Sequence, residues 1–184
     1  MAQTPTEELE EWIVECVEHL RSSDGFTVPE SQGNEFLLLF GLAARTVKYS
    51  DAYLLLTRSN FESQATPLAR AALEHAVTLQ WAYLIDGGVD RFRVEIAHDR
   101  VAHYSTLAAW MNSDELKARV AGLGLPPRGK RMPPFLNMLR ELDEGRFLET
   151  SYHVLSQELH MTHAAVTSFL TTSEGEPMSL ALDQ

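Results

Sequence analysis

Apolar residues recur along this chain at spacings of three and four, which places them on one face of an α-helix. The first such segment follows Thr6, has an acidic first turn that suits the positive end of a helix dipole, and ends near Ser22. Its apolar positions are Trp12, Ile13, Cys16, Val17 and Leu20. No segment alternates apolar and polar residues for long enough to predict a strand. The pattern therefore predicts an all-α protein.

Turn-forming Gly, Pro and Ser separate the later helical segments. The segment 34–58 is apolar nearly all round its cylinder, which predicts a central position in a bundle. The next helix has two possible beginnings: Thr66 as the cap with Pro67 as the first helical residue, or Asn60, which would leave Pro67 inside the helix. Further helices are predicted over 89–112, 114–122 (capped by Ser113), 134–143 and 147–171. Together they predict one single-domain, up-and-down bundle of five to seven helices.

Charge is distributed unevenly along the chain, which has a net charge of −11. Residues 1–35 hold nine acids and one base, the segment from 173 onward holds three acids and no base, and 36–172 holds 14 of each. Such a chain repels nucleic acid at long range, so DNA binding is not expected. A local phosphate site stays compatible with this charge, because charges farther apart than about 8–10 Å are largely screened.

Cysteine content and hydropathy narrow the class of protein further. The single cysteine, Cys16, excludes an internal disulfide framework and a cysteine-based zinc site. No apolar run approaches the ~18 residues of a membrane span, and the polar, acidic first residues do not resemble a secretory signal. We therefore expect a cytoplasmic protein that does not enter a membrane.

Six of the seven histidines fall on three predicted helices. On the last helix, a polar stripe lies about 100° from the core stripe that contains Tyr152. The stripe consists of His153, Ser156, His160, His163 and Thr167. At the margin of the core, such a stripe either lines a cleft or faces solvent or an interface.

Arg70 and Glu74 are four residues apart on the third helix, so their side chains share a face. An exposed pair of this kind contributes only a few tenths of a kcal/mol. The surrounding residues are mostly apolar, however, so partial burial is expected, and a buried ion pair needs a structural or functional reason.

Glu95 and His98 form a Glu-x-x-His pair, the spacing with which di-iron helical bundles supply ligands. No second Glu-x-x-His exists in the chain, so other acids and histidines would have to complete the site. The alternative ligand set for iron or another divalent metal is Glu74, Glu95, His98, His160 and His163.

Three segments together carry a family resemblance: LARAALEHAVTLQWAYLID, DRFRVEIAHDRVAHY and YHVLSQELH. They resemble a group of bacterial helical proteins of uncharacterised function, with Arg-x-x-x-Glu in one helix and Tyr-x-x-Leu-Ser-x-x-x-His in the last. That group is similar to the HEPN superfamily of small helical bundles. The resemblance implies a HEPN-like bundle over 34–172. Outside it, the residue pattern and charge predict an acidic helix and loop over 1–33, packed on the bundle, and a flexible acidic tail over 173–184.

In this chain, Arg70 and Glu74 match the Arg-x-x-x-Glu motif. The residues that match the second motif are Tyr152, Leu155, Ser156 and His160. HEPN ribonucleases carry an Arg followed by a His after four to six residues, a spacing that Arg70 and His75 satisfy. Here the Arg is followed by Ala71 rather than a polar residue, and the motif lies mid-chain. Five helical positions are about 140° apart, so Arg70 and His75 would converge only across a dimer.

The resemblance implies a metal-independent ribonuclease or an anionic-ligand-binding protein that needs no cofactor. Its catalytic candidates are Arg70, Glu74, His75, Ser156 and His160, and its ligand-binding candidates are Tyr152, His153 and His163. The expected partners are a second copy of the chain and a small anion or RNA. Two alternatives stay open: the metal-dependent enzyme, and a non-enzymatic dimeric interaction module.

Overall fold

The computed structural model describes residues 4–22, 25–159, 170–171 and 179–180. In these ranges the chain forms seven α-helices, one 3-10 turn and one pair of short strands. Their bounds are α1 Pro5–Ser22, the 3-10 turn Glu30–Gln32, α2 Gly33–Thr57, α3 Glu62–Leu84, α4 Gly88–Met111, α5 Asp114–Leu123, α6 Phe135–Leu142, α7 Phe147–Leu159, β1 Leu170–Thr171 and β2 Ser179–Leu180. The predicted all-α class with five to seven helices is confirmed.

The end of the chain departs from the predicted last helix. That helix begins at Phe147 as expected, but the prediction that it reaches Thr171 is wrong, because Leu170–Thr171 pairs antiparallel with Ser179–Leu180. A two-residue strand is too short to show the alternation that predicts β-structure. The β-branched Thr171 favours extended backbone.

The chain divides into two compact units. Unit 1 comprises Met1–Leu79 and Phe135–Gln184, and unit 2 comprises Gln80–Pro134. In unit 1, α1 packs against α2 and α6 packs against α7, and in unit 2, α4 packs against α5. The buried apolar residues of unit 1 are Val17, Leu54, Ala65, Ala72, Val77, Met138 and Leu139, and those of unit 2 are Trp81, Ala82, Phe92 and Ala108.

At α1 and α5, side-chain capping determines where the helix begins, and the sequence predicts the correct cap for α5 only. The Ser113 hydroxyl accepts a hydrogen bond from the backbone N–H of Leu116 and caps α5 as predicted. At α1, however, the reciprocal capping pair is Thr4 and Glu7: the Thr4 hydroxyl accepts from the Glu7 backbone N–H, and the Glu7 carboxylate accepts from the Thr4 backbone N–H. The cap therefore lies two residues before the predicted Thr6.

Pro67 lies inside α3, which begins at Glu62. The alternative with Thr66 as an N-cap is therefore wrong, and the longer helix is the observed one. Proline lacks a backbone N–H and cannot bond to the carbonyl four residues earlier. The Thr66 hydroxyl does not cap the helix start; it donates to the Glu62 carbonyl within the first turns of the helix. This longer α3 sets the position of Arg70 two turns into the helix.

Within the described ranges, every helix is either too short or too polar to be a candidate membrane span.

Candidate functional site

Arg70 on α3 joins the two sequence motifs in space. Its Nε donates to Glu74 Oε1 at 3.1 Å, and its Nη2 donates to the Tyr152 hydroxyl at 2.8 Å. The guanidinium carbon also lies 4.9 Å from the centre of the Tyr152 ring, within the range of a cation–π interaction. Tyr152 stands on α7, 82 residues away in sequence. The Arg-x-x-x-Glu helix and the Tyr-x-x-Leu-Ser helix therefore meet in unit 1.

The Arg70 guanidinium is partly buried and still has unused donors. Its side chain is 21% exposed and that of Glu74 is 39% exposed. Burial lowers the pKa of Arg70, but the hydrogen bond to Tyr152 and the Glu74 carboxylate outweigh burial, so the pKa of Arg70 is raised. Among the described residues, Nη1 has no hydrogen-bond acceptor. The group is therefore a fixed cation with donors left for a ligand.

An open pocket of about 350 Å³ adjoins this cluster in unit 1. Its lining residues are Leu42, Glu74, His75, Thr78 and Phe135. Glu74 belongs both to the pocket and to the ion pair. Phe135 also lines the pocket, and its ring centre lies 4.8 Å from that of Tyr152. The pocket wall therefore continues directly into the Arg70–Tyr152 pair. The sequence places Thr78 on the same line of the third helix as Arg70 and Glu74, but its pattern did not single out Leu42 or Phe135, which have the spacing of ordinary helix residues.

The tautomer of His75 follows from its hydrogen bond. His75 Nδ1 lies 2.7 Å from the backbone carbonyl oxygen of Ala71. A carbonyl only accepts, so Nδ1 carries the proton, and Nε2 of the neutral ring is left as an acceptor. The His75 ring lies 5.3 Å from the ring of Tyr49 on α2. His75 thus contacts a different helix from the one that Arg70 contacts, as expected for positions about 140° apart.

Ser156 and His153 differ in their surroundings on α7. The half-buried Ser156 donates its hydroxyl proton to the Tyr152 carbonyl oxygen at 2.6 Å. The side chain of His153 is 56% exposed and lies 3.9 Å from Glu149 Oε1. His153 is thus on the solvent side of the predicted stripe. The other members of the stripe, His160, His163 and Thr167, lie outside the described residues.

Glu149 forms a second ion pair in unit 1 that the sequence analysis did not single out. Arg140 on α6 donates from Nε to both carboxylate oxygens, each at 3.1 Å, while the Glu149 side chain is only 11% exposed. The hydrogen bond from Arg140 lowers the pKa of Glu149 below its usual value, against the opposing effect of burial. Since both groups are engaged with each other, this pair ties α6 to α7.

Glu95, the first residue of the Glu-x-x-His pair, is held by Arg131 within unit 2. Arg131 Nε donates to Glu95 Oε2 at 2.8 Å, and Arg131 Nη2 bonds to Glu95 Oε1. Hydrogen bonding from Arg131 lowers the pKa of Glu95 despite partial burial. In the part of the chain that the structure describes, no three His, Cys, Asp or Glu side chains are grouped as a metal site would require.

Comparison with known proteins gives one match. A family model described as a family of unknown function (DUF5677) matches residues 36–177. No curated protein and no solved structure matches the chain.

Proposed function

The chain belongs to the DUF5677 family, whose function is unknown, and we propose that its Arg70–Glu74–Tyr152 cluster binds a phosphate-bearing anion in a HEPN-like helical protein. The observation that carries this proposal is the partly buried Arg70 guanidinium, fixed by two partners and with Nη1 donors that have no acceptor among the described residues. Arginine donors form a planar fork that matches the oxygens of phosphate.

The two partners of Arg70 determine how an anion is bound. Glu74 balances the charge of Arg70, so binding depends on directed donors rather than on net positive charge. The Tyr152 hydroxyl accepts from Arg70, which leaves its own proton to donate to an oxygen of the ligand. Because the net charge of the cluster is near zero, we expect low affinity and a shallow dependence on salt concentration.

Titration with inorganic phosphate and with uridine 3′-monophosphate, followed by ³¹P NMR, tests this proposal. We expect Arg70→Gln to abolish binding and Tyr152→Phe to weaken it. The matched control is Arg93→Gln, which removes an exposed guanidinium from a helical ion pair with Asp90. Equal loss of binding in the Arg70 and Arg93 variants, or unchanged binding in Arg70→Gln, would contradict the proposal.

A second candidate function is metal-independent cleavage of RNA, which the His75 tautomer favours. Its Nε2 is available to take the proton of a ribose 2′-hydroxyl. The 2′-oxygen would then attack phosphorus, the bond to the 5′-oxygen would break, and Arg70 would stabilise the added negative charge. The products are a 2′,3′-cyclic phosphate and a 5′-hydroxyl. In this proposal His160 protonates the leaving oxygen, and no metal or cofactor takes part.

This reaction requires a homodimer, because Arg70 and His75 contact different helices of one chain. The test is subunit complementation with a labelled single-stranded RNA in EDTA. Arg70→Gln and His75→Gln should each be inactive, and mixing them after partial unfolding and refolding should restore activity through mixed dimers. Intact RNA with the wild-type protein would reject the nuclease and leave anion binding unaffected.

A further inference from the structure

A second cavity of unit 1 lies between α1 and α2 and uses none of the residues assigned above. Its volume is about 300 Å³. It is lined by Val17, Leu20 and Arg21 of α1 and by Phe40, Ala44, Val47, Lys48 and Asp51 of α2. We call this cavity the α1–α2 slot. Five of these eight residues are apolar and three are charged, so its chemistry depends on where the charges lie.

At one end of the slot, the lining residue Phe40 belongs to a cluster of three aromatic rings. Phe40 packs against Phe26 at 5.2 Å and against Phe36 at 5.3 Å between ring centres, and Phe26 and Phe36 lie 5.5 Å apart. Phe26 comes from the loop after α1, whereas Phe36 and Phe40 lie on α2, so two chain segments contribute to this cluster. This end offers a ligand apolar contact only.

The opposite end carries three charged side chains, and the charge of the exposed Lys48 has no ion-pair partner in the part of the chain that the structure describes. Arg21 Nη2 and Asp51 Oδ2 are 2.6 Å apart, so these two charges balance each other. Lys48 forms no salt bridge within the described residues. A ligand at this end therefore meets a single ammonium group beside a neutral ion pair.

The distance between the two ends sets the length of the ligand. Phe40, Ala44 and Lys48 are spaced by four residues and lie along one side of α2. Eight residues at ~1.5 Å each place the lysine about 12 Å from the aromatic end along the axis. An extended, unbranched hydrocarbon chain of medium length with one terminal anion has this shape.

We propose that the α1–α2 slot binds a medium-chain monocarboxylate, with its carboxylate on Lys48 and its tail directed at Phe40. This inference does not depend on the function proposed for Arg70. The carboxylate supplies the negative charge that Lys48 lacks among the described residues. The apolar walls remove the tail from water, and each buried methylene is expected to tighten binding roughly fourfold.

Calorimetric titration of the full chain with octanoate tests the proposal. We expect octanoate to bind about sixteenfold more tightly than hexanoate, since it has two more methylenes. Octanol and octylamine should bind far more weakly, because neither carries a negative charge. Lys48→Met should weaken octanoate binding at least tenfold. Lys130→Met, the same change on an exposed loop lysine, should leave it unchanged.

A second variant tests the location of the tail. Ala44→Phe fills the slot from α2 and should abolish octanoate binding, with helical circular dichroism checked first. If Ala44→Phe does not fold, the effect of Lys48→Met and the relative affinities of the four ligands test the proposal without it. The proposal is overturned if wild-type protein does not bind octanoate, if octanol binds equally well, or if Lys48→Met and Lys130→Met behave alike.

Discussion

Replacing Tyr152 with Phe removes one hydroxyl from the cluster and leaves the ring in place. The lost interaction is the hydrogen bond from Arg70 Nη2, which spans 2.8 Å. Hydrogen bonds to charged groups contribute about 1.5–3 kcal/mol to stability. Water can reach the 21% exposed Arg70 side chain and replace part of this bond. The ring still packs on Phe135, so no cavity forms. We therefore expect the free energy of unfolding to fall by about 1 kcal/mol.

Urea unfolding followed by far-ultraviolet circular dichroism measures this change. With a slope of about 2 kcal/mol per molar urea, the midpoint should fall by about 0.5 M. The control is Tyr83→Phe at a site that is 70% exposed, where no shift is expected. A double-mutant cycle with Arg70→Met should give a coupling energy of about 1 kcal/mol. A coupling below about 0.3 kcal/mol would refute a direct bond between Arg70 and Tyr152.

Three further measurements test the packing and charge arguments. Leu139→Ala, at a fully buried position, should lower the free energy of unfolding by about 2–5 kcal/mol, whereas Leu37→Ala at a 67% exposed position should change it by less than about 0.5 kcal/mol. Gly88→Ala should destabilise unit 2 by about 1–3 kcal/mol, because the added Cβ would lie 2.6 Å from the Ala82 carbonyl oxygen. Gly41→Ala should instead stabilise α2 by about 0.5–1 kcal/mol, because no atom lies within 4 Å of the added Cβ. The pKa of Glu149 is lowered from 4.5. The Arg140–Glu149 ion pair therefore stabilises the fold fully above that pH, and this stabilisation is lost as the pH falls through the folded-state pKa of Glu149. When the free energy of unfolding is measured between about pH 5 and pH 2, Glu149→Gln should remove this part of its pH dependence.

The spacing of apolar residues predicts where the helices lie. The residue at which each helix begins is harder to predict, because neighbouring residues can have similar capping chemistry. Ser113 was unambiguous because it directly precedes two acids and caps α5 as expected. At α1, the prediction named Thr6 alone, yet Thr4 has a glutamate three residues later and Thr6 does not. That spacing was present in the sequence and could have decided the cap. At α3, Thr66–Pro67 has the composition of a helix start, and packing of the longer helix overrode this local preference.

Motif spacing shows which side chains share a helix face, but it does not show which distant group will bind them. Arg70 and Glu74 could be paired from their separation of four residues, yet the third member, Tyr152, comes from 82 residues away and depends on how α7 packs. The same limit applies to Glu95. The spacing between Glu95 and His98 is compatible with a metal site. In the structure, however, Arg131, 36 residues away in sequence, binds the Glu95 carboxylate. Local spacing therefore shows which interactions a side chain can make, and the packing of distant segments determines which of these interactions forms.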